Sequence, residues 1–186
     1  SGETLLVTGA AGGTGLAAVQ IGHALGAHVI AACSNDEKLH TAKQHGANVA
    51  INTGKDDVRD AIKFLAGGAG ADVIFEPVGG DLAKSLARSV GWNGRWLVIG
   101  LADGAIPKVP LNLPLVKGYS IVGVFWGSFC DRDPAQAQTN HGQLFEMAAS
   151  GKLTPHLHAV MPLNEAPCAL SQIEQRAVQG KIVLNP

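Results

Sequence analysis

Gly9, Gly12, Gly13 and Gly15 lie in the run Thr8-Gly9-Ala10-Ala11-Gly12-Gly13-Thr14-Gly15, which joins an apolar run to a helix-like segment. Glycines spaced this way permit a tight turn and a close approach of the backbone to an anion. The helix that follows offers free N–H groups and the positive end of its dipole. Strand, glycine loop and helix in that order form the cradle that holds a dinucleotide pyrophosphate, and Gly12, Gly13 and Thr14 are its expected contacts. The match is AxGxxG, starting on Ala10, so the context carries the reading more than the motif does. The glycines also have a purely structural reading as close helix–sheet packing, which Gly15 serves in either case.

The end of the second strand points to the choice of dinucleotide. An acid there, about twenty residues after the glycines, would hold a ribose 2′-hydroxyl. Cys33, Ser34 and Asn35 occupy the place instead. Without a carboxylate a 2′-phosphate is not repelled, Ser34 and Asn35 can donate to it, and Lys38 adds a cation. NADP(H) is therefore expected over NAD(H), with Asp36 as a nearby contrary charge. Ser34-x-x-Glu37 is also a capping box, so Ser34 is expected to cap the second helix as well.

In an open parallel sheet, ligands bind beyond the carboxyl ends of the strands. Those ends read as Pro77-Val78-Gly79, Gly100-Leu101-Ala102 and Phe125-Trp126-Gly127. Pro77 and Gly79 leave room for a flat ring against the backbone, although turn geometry alone would also explain the glycines.

The elements that would position these residues follow from the apolar runs. Six recur at 4–8, 29–33, 49–52, 72–76, 95–99 and 120–125. Most are continuous rather than alternating, as suits strands covered on both faces. Their starts lie roughly 20–25 residues apart, with helical patterns at 13–25, 36–45, 58–65 and 81–90, which is the βα rhythm of a parallel sheet. Pro107, Pro110 and Pro114 limit the fifth gap to an extended loop with one short helical turn. After Phe125 a helix over 134–150, a strand over 156–163, a helix over 164–178 and a strand over 181–184 are expected. The fold class is α/β, a doubly wound parallel sheet of the Rossmann type with about six strands. A strand–helix–strand extension over 153–186 completes a single domain of 186 residues.

Composition narrows the function. Fourteen Lys plus Arg balance fifteen Asp plus Glu, and aromatic residues are only 5%. Neither a basic nucleic-acid footprint nor a base-stacking platform is present. No apolar stretch approaches the roughly 20 residues of a membrane span, and no signal-peptide pattern opens the chain. Cys33, Cys130 and Cys168 are odd in number and form no CxxC, so a reducing, cytoplasmic setting is expected. His156 and His158 share a face of one strand without a third ligand, and no metal site is expected.

Thr8-Gly9-x-x-x-Gly13-x-Gly15 also fits short-chain dehydrogenases, but the Tyr-x-x-x-Lys pair of that family is absent: Gly123 stands four residues after Tyr119, the one tyrosine. The chain instead resembles the cofactor domain of the medium-chain dehydrogenase/reductase superfamily, in its zinc-free NADPH:quinone oxidoreductase branch. The resemblance rests on ordered blocks spanning nearly all of the chain: Gly9 to Ala17, Ser34 to Lys38, His45-Gly46-Ala47, Glu76 to Gly80, Gly94 to Gly100, Val124 to Gly127 and Gly180 to Leu184.

What it implies is an NADPH-binding domain that serves transfer of reducing equivalents to a quinone or conjugated carbonyl. An enoyl or alkenal reductase of the same superfamily and a non-catalytic NADPH-binding sensor or structural protein are the alternatives. Ser34, Lys38 and Arg176 match the family's 2′-phosphate contacts, with Thr53 standing where the family has a tyrosine. Val78, Gly100 and Phe125 match positions beside the nicotinamide, and Gly79, Leu101 and Trp126 are expected with them. The family's N-terminal substrate domain is implied to lie outside these 186 residues, so no catalytic residue is named. The family also dimerises through its sixth strand. Here 120–125 would form a long, apolar, uncharged edge, which a monomer avoids, and a homodimer is expected unless the helix over 134–150 folds across it.

Overall fold

The computed structural model describes residues 1–186. Six parallel strands form one sheet: β1 (Thr4–Thr8), β2 (His28–Cys33), β3 (Val49–Asn52), β4 (Ala71–Glu76), β5 (Val90–Val98) and β6 (Ser120–Gly123). Their spatial order is β3-β2-β1-β4-β5-β6. Helices α1 (Gly13–Ala24), α2 (Asp36–Gln44), α3 (Val58–Leu65) and α4 (Leu82–Ser89) link the first five strands. The short α5 (Asn112–Lys117) precedes β6, with Pro114 in its first turn, where a missing N–H costs nothing.

The strands are continuous in apolar residues because both faces are covered. Leu6, Ile30, Ile51 and Ile74 point to one side and pack with Val58, Ile62 and Leu86 of α3 and α4. Val7, Val29, Ala31 and Cys33, their alternate neighbours, point to the other side and pack with Val19 of α1 and Ala42 of α2. One face thus belongs to α1 and α2 and the other to α3 and α4, as right-handed crossovers require when the chain runs outward from β1 and returns to β4. The reversal between β1 and β4 opens a crevice at their carboxyl ends.

Beyond β6 the chain forms α6 (Trp126–Arg132), α7 (Pro134–Ala149), β7 (Leu157–Pro162), a 3-10 turn over Leu163–Glu165, α8 (Ala166–Glu174) and β8 (Lys181–Asn185). β7 and β8 pair in parallel as a separate ribbon. Four expectations need correction. The helix expected over 164–178 ends at Glu174, and Arg176 already has a left-handed backbone. The edge strand ends at Gly123, not at 125, because Phe125 already accepts from the Phe129 N–H and starts α6. β5 begins five residues earlier than expected, since Val90 pairs with Ala71 across a register shift. Ser34 does not cap α2. Asn35 takes the cap in extended backbone (φ −155°, ψ 168°), and its side chain accepts from the Lys38 N–H at 3.0 Å.

Candidate functional site

A cleft of about 840 Å³ opens at the switch point between β1 and β4. Gly9, Ala11 and Gly12 form its floor, and Gly12 sits at the N-cap of α1. No side chain caps this helix and no acid lies in its first turn. Its leading N–H groups therefore keep their capacity for an anion. Gly15 has no space for a side chain, since a Cβ there would run into the Gly9 carbonyl and the Ala10 backbone. The close crossing of α1 over the loop depends on that glycine.

The tail supplies a wall that the sequence pattern alone does not show. The Gly180 N–H donates to the Ala11 carbonyl at 2.8 Å, and Gly12 and Gly180 form a parallel bridge. Gln20 donates to the Thr154 carbonyl at 3.0 Å and accepts from its N–H at 2.7 Å. His45 Nε2 and His156 Nδ1 meet at 3.2 Å, and burial together with the neighbouring His156 lowers the His45 pKa. Gln179 Nε2 donates to Glu37 Oε1 at 2.7 Å. These ties seat Ile173, Glu174, Arg176 and Val178 along the cleft.

Ser34, Lys38, Thr53 and Arg176 meet at one end of it. Lys38 Nζ donates to the Arg176 carbonyl at 2.7 Å, across 138 residues of sequence. Arg176 has a left-handed backbone (φ +57°) just past α8, which turns its carbonyl toward Lys38. Asp36 is drawn away: Asn52 Nδ2 and Lys55 Nζ both donate to its carboxylate and lower its pKa. The contrary charge noted in the sequence is thereby largely spent. Cys33 also lines this end, but burial pushes its thiol up to about 11, so it stays protonated at neutral pH.

Val78 and Gly79 also line the cleft, next to Asp103. Their N–H groups both donate to Glu76 Oε1, which fixes the turn after β4. Glu76 is 2% exposed, its Oε2 has no partner, and burial raises its pKa.

Of the expected contacts, the cleft wall gathers Gly12, Ser34, Lys38, Thr53, Val78, Gly79 and Arg176. Gly13 lies beneath the Lys181 side chain, on a second, apolar hollow between α1 and α7. Thr14 follows it in the first turn of α1, and Asn35 sits at the α2 cap. Gly100 lies against the Pro77 carbonyl and Leu101 against Gly79. Phe125 is 78% exposed beyond β6, and Trp126 stacks on Phe129 with centroids 5.4 Å apart. Asp81, Asp103, Glu174 and Val178 line the cleft although sequence reasoning passed over them. The nearness of Glu174 and Val178 to Arg176 was the one available signal.

Residues 13–141, from the start of α1 through β6 and into α7, match the family described as zinc-binding dehydrogenase. The chain belongs to that family. Its relatives include the mouse quinone oxidoreductase-like protein 2, 40% identical over 99% of this chain and 53% of that protein. The Pseudomonas syringae quinone oxidoreductase structure matches with TM-score 0.89 at 31% identity, over 100% of this chain and 57% of the other. The Escherichia coli quinone oxidoreductase, solved as a complex with NADPH, matches with TM-score 0.87 at 28% identity, over 99% of this chain and 57% of the other. The chain spans about half the length of the curated relatives it matches. The resemblance to the medium-chain dehydrogenase/reductase superfamily and the six-stranded, doubly wound sheet both stand.

Proposed function

We propose that this chain is the NADPH-binding half of an oxidoreductase that passes reducing equivalents from NADPH to a quinone or another conjugated carbonyl. The observation that carries the reading is the convergence of Ser34, Lys38 and Arg176 at the end of the cleft where an NAD site would have an acid. The Escherichia coli relative solved with NADPH supports the same cofactor. The residues fit the group: the α1 N-terminus is uncapped and free of acids, as a pyrophosphate requires.

In this reading Gly12, Gly13 and Thr14 hold the pyrophosphate. Ser34, Asn35, Lys38, Thr53 and Arg176 hold the adenosine end. Val78, Gly79, Gly100 and Leu101 form the floor under the nicotinamide, and Phe125 and Trp126 flank it. The nicotinamide supplies the hydride when NADPH is bound. This chain's residues bind and orient it, and Glu76 holds the Val78–Gly79 turn in place.

The substrate side falls to residues outside this half, and no metal is required of this one. The three cysteines are free thiols, which suits a reducing, cytoplasmic setting. No helix is long and apolar enough to cross a membrane. Homodimerisation through β6 belongs to the reading, because all four of its residues are exposed and α7 leaves them uncovered.

Titration with NADPH and with NADH, followed by tryptophan fluorescence and calorimetry, tests the proposal. NADPH should bind more tightly, and Lys38→Ala or Arg176→Ala should weaken NADPH by about tenfold, the value of a lost charge-assisted bond. NADH binding equal to or tighter than NADPH binding overturns the cofactor assignment.

A further inference from the structure

The guanidinium expected to meet a 2′-phosphate already has a partner. Arg176 Nη2 lies 3.2 Å from Asp103 Oδ1, and the pair joins the tail wall of the cleft to the loop after β5. Asp103 is fixed from behind. Its N–H donates to the Val78 carbonyl at 2.8 Å, and Gly80 (φ +65°) leaves the space its carboxylate fills, since a Cβ there would collide with Oδ2. Asp81 and Glu174 line the same cleft, but neither forms an ion pair with Arg176.

The two cations at this end are therefore engaged differently. Lys38 donates to a neutral carbonyl and keeps two further N–H donors for an anion. Arg176 is bound to a full negative charge. A phosphate dianion arriving on the same guanidinium must either displace that carboxylate or sit against it, and like charges that close repel. A 2′-hydroxyl meets neither obstacle.

We propose that Asp103 is a specificity-determining residue: it competes with the 2′-phosphate for Arg176 and so limits how strongly the cleft prefers a 2′-phosphorylated dinucleotide. The proposal rests on the dinucleotide reading above. Both partners are partly exposed, with side-chain exposures of 70% and 39%, so solvent screens the pair and its effect is modest. Removing the competition should raise the preference about two- to fivefold.

The test uses the whole chain with Asp103→Asn, which keeps the shape beside Gly80 and the backbone bond to Val78. Affinities for NADPH and NADH are measured by calorimetry in the wild type, in D103N, in R176A and in the double variant, and thermal melts confirm folding. The ratio of NADPH to NADH affinity should rise about two- to fivefold in D103N, and the same change in the R176A background should do nothing. An unchanged ratio in D103N overturns the proposal. So does a rise that persists without Arg176, because the carboxylate would then act on the phosphate directly. A wild type that binds neither dinucleotide overturns the cofactor reading and this inference with it, whereas a wild type that prefers NADPH with an indifferent D103N overturns the inference alone.

Discussion

Replacing Glu76 by glutamine should remove a pH dependence from the stability of the domain. Glu76 is buried at 2% exposure, with Oε1 accepting from two backbone N–H groups and Oε2 accepting from none. Those two donors favour the carboxylate, but burial outweighs them and raises the pKa above its ordinary value of 4.5. The folded chain then holds this proton more tightly than the unfolded chain does. The stability that results is complete below the unfolded pKa and is lost as pH rises through the folded pKa. Within that window the loss approaches about 1.4 kcal/mol per pH unit. A domain of this size shifts by about 2–4 °C per kcal/mol, so the wild-type Tm should fall relative to Glu76→Gln by up to about 3–6 °C per pH unit. Glutamine keeps an acceptor for the Val78 and Gly79 N–H groups and stays neutral throughout. Calorimetric melts of both proteins from pH 4 to 8, plotted as the difference, cancel every other titrating group. A flat difference, or one in which the glutamine variant loses ground as pH rises, refutes the reasoning.

Gly15→Ala forces a Cβ against the Gly9 carbonyl; thermal melts should show a loss of about 1–3 kcal/mol, and titration should show the loss of dinucleotide binding. Ile74→Ala empties a fully buried site in the central strand and should cost about 2–5 kcal/mol in denaturant unfolding. Ile121→Lys on the exposed edge strand should turn a dimer into a monomer in light scattering while moving Tm little; a wild type that is already monomeric at low micromolar concentration sinks the edge-pairing reading.

The sheet was legible because its strands are buried on both faces, so Leu6 and Val7 both had to be apolar and the runs stood out unbroken. The glycine loop was legible because it needs residues that few other structures need in that order. What escaped notice had no periodic mark. α6 spans seven residues, Trp126–Arg132, too short for an apolar stripe to declare itself. The choice of Asn35 over Ser34 as the α2 cap turned on backbone angles at two adjacent residues equally suited by type. The Asp103–Arg176 pair links positions 73 residues apart, and an acid in a loop carries no sign of its distant partner. Ser34 and Lys38 followed from the absent acid at the end of β2, but Arg176 could be named only through the family resemblance, because the contact between positions 38 and 176 is made by the folded tail.

The bridge between Gly12 and Gly180 sets an order of events for a chain emerging from the ribosome. The sixth strand ends at Gly123, so the whole sheet and its flanking layers are able to form while the tail is still being made. The cleft then stands open on one side until about fifty further residues have been added and the segment from Ile173 to Gly180 closes against the glycine loop. A ligand seated there would touch both the glycine loop and the tail segment made long after it, and so would clasp together two parts of the chain far apart in sequence. The tail is already tied to the loop through Gly180 and Ala11; a nucleotide in the cleft would add to that tie, and protection of residues 173–180 from proteolysis should rise with occupancy of the cleft.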